Sequence, residues 1–268
     1  MFLPSVYLIL GLISNIIYTI NNNKNMDHNN NNNKGNYVLS GSILVAALLI
    51  AGSVIYSNGT NNSGLASADK TVGGDAGDAF AVQKNDIVLG ETKAPVTIFV
   101  YSDPSCPFCA AAAGANKEVI DYLKSNSPSW TAPIPGIIDN YVDSGKVRLV
   151  YRYYPGHGTG EEAMKVLYCA NEQGKFWKLH EVLGDNQSSL QDLVKVKELA
   201  AGIGVDIDKI DSCLNAKKYD SKIQSDVAMG TKAGVSGTPA FFINKVLVSG
   251  AQPFSAFKSK IDAVLSAL

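Results

Sequence analysis

Two cysteines, Cys106 and Cys109, stand two residues apart in the stretch YSDPSCPFCA, residues 101–110. An apolar run precedes them and an alanine-rich run follows, so the first cysteine falls where a strand hands over to a helix. At a helix N-terminus, unpaired N–H groups and the macrodipole favour negative charge. A thiol there gives up its proton more readily, and the thiolate is the nucleophile. Cys106 is therefore the expected attacking sulfur. Cys109, one helical turn further in, is placed to attack a mixed disulfide on Cys106 and release its partner.

The same spacing has other uses. A zinc knuckle needs a second ligand pair. The remaining cysteines, Cys169 and Cys213, lie far apart in the chain and belong to no second C-x-x-C, and His157 and His180 add no ligand pattern. No metal and no organic cofactor are expected. A purely structural bridge over so short a loop would constrain little of the unfolded chain. Redox exchange is the reading that remains.

A second feature lies in GVSGTPAFFIN, residues 234–244, where Thr238-Pro239 comes directly before a strand. A proline there donates no ladder hydrogen bond. In a cis bond it would turn the chain sharply and leave backbone groups free to pair with a bound peptide. In trans it is an ordinary strand start, the form that the sequence alone favours. Asp103 is either an acid that tunes or shuttles protons or a turn and capping residue. His157 reads as a loop residue, and Trp177, Phe241, Phe242 and the tyrosines as core.

The elements that position these residues follow from periodicity. Residues 95–103, PVTIFVYSD, predict a buried strand, and Pro107 to Leu123 one helix with proline in its first turn. Residues 125–136 form a proline-rich loop, 137–143 a short helical stretch and 146–154 a second strand. Four or five helical segments come next. AFFIN and KVLVS then pair as a hairpin turning near Asn244-Lys245. The last helix starts at Pro253, with Phe254, Phe257, Ile261, Val264, Leu265 and Leu268 on one stripe. A folded unit over 80–268 is expected.

The 268 residues are 46% hydrophobic and 18% charged, with a net charge of −1. From residue 79 onward basic and acidic residues are equal in number, and only Arg148 and Arg152 are arginines. No basic stripe of a nucleic-acid binder is present. Residues 37–56, YVLSGSILVAALLIAGSVIY, carry no charge and as a helix would span about 30 Å, a bilayer's hydrocarbon core. They predict an uncleaved transmembrane anchor. Ala66-Ser67-Ala68 has a cleavage-site pattern but lies too far beyond the apolar run.

Residues 1–36 hold an earlier apolar run at 2–20 and an asparagine-rich tract, within which Met26 is an alternative start. Lys24 and Lys34 place that tract in the cytoplasm by the positive-inside rule, so the C-terminal unit faces outward. If translated from Met1, residues 2–20 would be a second span. Residues 57–79 read as a flexible tether, and the acceptor patterns at Asn58 and Asn61 matter only in a glycosylating host.

Taken with their order and spacing, APVTIFVYSDPSCPFC, GKVRLVYRYYP, CANEQGKFWKLHEVL and GVSGTPAFFIN resemble the DsbA-like thiol–disulfide oxidoreductases over roughly residues 85–268. The resemblance implies an α/β, thioredoxin-like fold with an inserted α-helical domain at about 160–235, here preceded by an N-terminal transmembrane helix. It implies Cys106 as nucleophile, Cys109 as resolving cysteine and Pro239 as a cis-proline facing them. Thr238, Pro107 and Phe108 would contact substrate.

The family also implies that the substrates are cysteine-containing exported proteins, and that a membrane redox partner outside this chain re-oxidises the enzyme. Cys169 and Cys213 fall in the implied insertion. Their plain reading is a structural disulfide; a second redox centre is the alternative, though nothing around either looks activating. Two departures bear on direction. Phe108 stands where the best-known members have histidine, and a phenyl ring cannot hydrogen-bond a thiolate. Thr before the cis-proline is the choice of thioredoxin-like and isomerase-like members. Both predict a less depressed Cys106 and a less oxidising couple, leaving reductase or isomerase, or an idle binding module, as alternatives.

Overall fold

The computed structural model describes residues 77–156 and 160–268. The anchor at 37–56, the run at 2–20, most of the tether, Asn58, Asn61 and His157 lie outside the described residues. Among the described residues no helix is long and apolar enough to cross a membrane.

After a 3₁₀ turn, Gly77–Phe80, the chain forms β1 (Ile87–Leu89) and β2 (Val96–Ser102). Helices α1 (Pro107–Ala112), α2 (Lys117–Asn126) and α3 (Pro133–Ile137) lead through a π turn, Ile138–Val142, into β3 (Val147–Tyr153). Five helices follow: α4 (Glu161–Asn171), α5 (Phe176–Asp185), α6 (Leu193–Gly202), α7 (Ile207–Asn215) and α8 (Asp220–Lys232). The chain ends with β4 (Ala240–Ile243), β5 (Val246–Ser249) and α9 (Phe254–Ser266).

The five strands form one sheet in the order β1-β3-β2-β4-β5. Only β2 and β3 run parallel, from Val96↔Val147 to Ser102↔Tyr153. A parallel pair needs a crossover, and α1 to α3 supply it. β2 is central, and both its faces are covered: Ile98 and Val100 join the larger core, Phe99 and Tyr101 the smaller one behind. That is why PVTIFVYS is largely apolar rather than alternating. Each such side chain contributes roughly 1.5–3 kcal/mol on burial.

Three features differ from the sequence expectations. The helix expected over 107–123 is two helices. Gly114 (φ 89°) and Asn116 (φ 59°) sit in the left-handed region, and Asn116 caps α2 by accepting from Val119 N at 3.1 Å. The proline-rich loop ends in α3, where Pro133 stands in the first turn. β1 is an additional edge strand, only three residues long and too short to show a period. Asn244 (φ 45°) and Lys245 (φ 74°) make the tight turn between β4 and β5. On α9 Phe257 and Ile261 are buried, while Leu268, past the helix end, is 77% exposed.

The segment before β2 is fastened by buried charge. Arg152 is fully buried and grips Asp86 with two nitrogens (2.7 and 3.1 Å). It also donates to the carbonyls of Ala79 and Ala81, both at 2.6 Å. Lys222 reaches Asp86 at 2.8 Å and pairs with Asp226, which accepts from Tyr168. Burial alone would raise Asp86, but its bonds to Arg152 and the nearby Lys222 hold it below the usual carboxylate value.

Candidate active site

β2 delivers the chain to the carboxyl end of the parallel pair, where open α/β sheets place their ligand sites. A turn follows in which Asp103 accepts from Ser105 N (2.8 Å) and Ser105 Oγ (2.7 Å). Cys106 N donates to Asp103 O at 3.0 Å, and Cys106 takes the N-cap position of α1 with extended backbone (φ −81°, ψ 117°). The other oxygen of Asp103 accepts from Gly156 N at 2.7 Å, tying the end of β3 to this turn. Of the two roles open to Asp103, the geometry displays turn and loop anchor. Gly160 has to be glycine here, because a Cβ would lie 1.7 Å from Asp103 Oδ1.

Cys106 and Cys109 are both buried and both free thiols. They differ in acidity. A hydrogen bond from Cys109 outweighs burial and, with the backbone N–H groups of Cys109 and Phe108 and the Thr238 hydroxyl, draws Cys106 down to about 6. Burial, and then the hydrogen bond and charge of Cys106, push Cys109 well above the ordinary thiol range. One sulfur is thus a ready nucleophile at neutral pH and the other stays protonated behind it. Cysteines activated by such surroundings span roughly 3.5–7.5, so Cys106 lies in the upper part of the range.

Alkylation should display this asymmetry. In the reduced chain, iodoacetamide labelling of Cys106 is expected to rise with a midpoint near pH 6, with Cys109 unlabelled, as read by peptide mass. A midpoint near pH 8.5, that of an unperturbed thiol, would contradict the assignment.

The Thr238–Pro239 peptide is cis. Thr238 O lies 3.3 Å from Cys106 Sγ and accepts from it. The Thr238 hydroxyl is buried without a well-formed hydrogen bond while the sulfur is a thiol. A thiolate on Cys106 would supply the acceptor it lacks. Pro239 is buried at the start of β4, Pro107 is half-buried and Phe108 is 40% exposed beside Cys106. Cys106, Cys109, Pro107, Phe108, Thr238 and Pro239 therefore meet in one place.

Cys169 and Cys213 do not belong to it. They are bonded to each other across 44 residues with Cα atoms 6.0 Å apart, joining α4 to α7. Closing a loop of that length stabilises the fold by about 4 kcal/mol on chain-entropy grounds. His180, a spare metal candidate by sequence, hydrogen-bonds Tyr151 Oη at 2.5 Å through Nε2, and burial lowers it to about 4. Among the described residues no cluster of three or more His, Cys, Asp or Glu could hold a metal ion.

Gln187 had no signal in the sequence. Its Nε2 donates to Pro104 O (2.8 Å) and Cys106 O (3.0 Å), and its Oε1 accepts from Asn116 Nδ2 (2.7 Å). Small residues let α5 pack closely here: a Cβ on Gly184 would lie 2.7 Å from Ala115 Cβ, just past α1, and 3.5 Å from Ala110 Cβ within it.

A nucleophilic thiolate backed by a protonated thiol is the arrangement for thiol–disulfide exchange on a thioredoxin-type sheet. The family model described as Thioredoxin matches residues 82–126 and 129–263, and the chain belongs to that family. Within it the fold is DsbA-like: alpha-DsbA1 of Wolbachia pipientis superposes with a TM-score of 0.59 at 24% identity, covering 72% of this chain and 97% of that one. BdbD of Bacillus subtilis, in its oxidised form, gives a TM-score of 0.56 at 21% identity, covering 68% and 94%.

Among curated relatives, a probable disulfide bond formation protein D of Bacillus anthracis is 24% identical over 82% of this chain and 92% of its own length. A putative protein-disulfide oxidoreductase of Rickettsia typhi is 26% identical over 62% of this chain and 57% of its own. The Na(+)/H(+) antiporter NhaA 3 of Salinispora tropica is 31% identical over 59% of this chain, yet this chain spans only 22% of that protein.

Proposed function

We propose that this chain is an extracytoplasmic thiol–disulfide oxidoreductase that forms disulfides in exported, cysteine-containing proteins. The observation that carries the reading is the split between Cys106, drawn down to about 6, and Cys109, pushed up behind it. In the oxidised enzyme a substrate thiolate attacks Cys106 Sγ. The Cys106–Cys109 bond breaks, Cys109 leaves as thiolate and takes a proton, and a mixed disulfide joins substrate to Cys106. A second substrate thiolate then attacks the substrate sulfur of that bond. The substrate leaves with its own disulfide, and Cys106 leaves as a thiolate at neutral pH.

Pro107, Phe108, Thr238 and Pro239 form the substrate-facing surface around Cys106, with Phe108 offering an exposed ring to apolar substrate residues. Residues 37–56 serve as the membrane anchor, the helical segments of about 160–235 as the insertion, and a membrane redox partner re-oxidises the dithiol. Relatives named as a disulfide bond formation protein and a protein-disulfide oxidoreductase support this reading. The runner-up is the same chemistry run as a reductase or isomerase. Phe108 favours it, having no hydrogen bond to add to the Cys106 thiolate.

Equilibrating the full chain with glutathione buffers decides between them. A Cys106/Cys109 potential above about −200 mV, towards the −120 mV of strong oxidases, is the expected result. A value at or below the −270 mV or so of thioredoxin would overturn the oxidase direction.

A further inference from the structure

Cys109 must lose a proton to attack a mixed disulfide and gain one when it is the leaving group, yet it is only 3% exposed. Three side chains lie in line behind it. The Ser102 hydroxyl faces the Cys109 sulfur and favours its thiolate. Tyr151 Oη donates to Ser102 Oγ at 2.6 Å and lies 2.5 Å from His180 Nε2. Ser102 and Tyr151 are buried within β2 and β3, and His180, on α5, is 8% exposed. The line therefore runs from the buried sulfur to His180, the least buried of its members.

We propose that Ser102, Tyr151 and His180 are a proton relay that charges and discharges Cys109 during disulfide exchange. To deprotonate Cys109, its S–H proton passes to Ser102 Oγ, the Ser102 proton to Tyr151 Oη and the Tyr151 proton to His180 Nε2. The imidazole then sheds its Nδ1 proton to water and ends in the other neutral tautomer. Cys109 thiolate attacks Cys106 Sγ, the Cys106–substrate S–S bond breaks, and the substrate sulfur leaves as a thiolate. No electrons move beyond the exchange itself. Running the hydroxyls the other way delivers a proton to Cys109 when it leaves. The polarity present, Tyr151 donating to Ser102, is the delivering one, and hydroxyls rotate to suit either direction.

The chemistry of each member fits carriage rather than storage of the proton. Tyr151 is held neutral, well above its ordinary value, by burial and then by the charge of a Cys109 thiolate. His180, lowered by burial to about 4, is neutral at physiological pH and can accept at one nitrogen while releasing at the other. Besides His180, the titratable groups facing Tyr151 are Cys109, Asp103 and Cys106. On α5, Lys178 and Glu181 pair with each other at 2.9 Å. On α4, Lys165 is held by Glu161 and Glu162, and on α6 Lys197 pairs with Asp211. None of these exposed pairs supplies the relay with a competing proton acceptor.

The inference rests on the exchange reading above, and one experiment separates the two. Reduced full chain is mixed with glutathione disulfide, quenched in acid and weighed. Attack by Cys106 gives a glutathione adduct, which Cys109 then resolves. Tyr151→Phe keeps the ring and removes the hydroxyl; His180→Gln and Ser102→Ala break the line at its other members. Adduct formation is expected at the wild-type rate in all three. Resolution at neutral pH is expected to slow about a hundredfold or more, the low end for loss of acid–base assistance. The gap should close in alkali, where hydroxide takes the proton directly. Equal resolution rates and pH profiles in wild type and any two folded variants would overturn the relay alone. A wild-type chain that forms neither the adduct nor the Cys106–Cys109 disulfide would overturn the exchange reading and the relay with it.

Discussion

Cys106→Ala is expected to abolish thiol–disulfide exchange, whereas Cys109→Ala should keep the first half of the reaction and lose the second. No other sulfur can substitute for Cys106. Cys169 and Cys213 are consumed in their own bond, and Cys109 is buried and protonated at neutral pH. Without Cys109, a mixed disulfide on Cys106 has no internal thiol to resolve it and should accumulate on non-reducing gels with a reduced, unfolded substrate such as ribonuclease. A further consequence has a definite sign. The hydrogen bond from Cys109 is the largest influence lowering Cys106. Its loss in Cys109→Ala should move the Cys106 thiolate midpoint, read by absorbance at acid to neutral pH, upward from about 6. Exchange retained by Cys106→Ala would sink the assignment of the nucleophile, and an unmoved midpoint would sink the account of its activation.

The parts of this molecule legible in the sequence are those whose physics is local. C-x-x-C at a strand–helix junction, Thr238-Pro239 before a strand and Asn244-Lys245 between two apolar runs each announce themselves within a few residues. The break between α1 and α2 was also local, signalled by Gly114 and Asn116, but the alanine run on one side and the amphipathic pattern on the other masked it. What could not be read is pairing across the chain. Gln187 holds Cys106 from 81 residues away, and His180 meets Tyr151 from 29. A lone glutamine, tyrosine or histidine carries no mark of its partner until the sheet and α5 are assembled. The same is true of Arg152, which in KVRLVYRYY reads as the polar member of a strand and proves to be fully buried.

Arg152→Met should be the most destabilising substitution outside the disulfide and the apolar core, by about 3–5 kcal/mol in urea denaturation at neutral pH. The side chain is replaced by one of comparable length, so the loss is mainly electrostatic. Asp86 keeps Lys222 and the Gln83 amide, the Ala79 and Ala81 carbonyls lose their shorter donor and keep Tyr101 Oη and Gln83 Nε2, and the buried set of two cations and two carboxylates is left with a net negative charge. Adding Asp86→Asn should recover part of the loss, because the orphaned charge goes with it; the double variant is expected to be more stable than the two single effects predict. The acid limb provides an independent check. Asp86 is depressed in the folded chain, so its contribution is complete above its unfolded value of about 3.9 and disappears as pH falls through the lower folded value. Wild type should therefore lose stability below about pH 4 more steeply than Arg152→Met, whose Asp86 is less depressed. A change below about 1 kcal/mol would mean that water enters and solvates the set, and that burial of Arg152 is not what fastens the segment before β2 to β3 and α8.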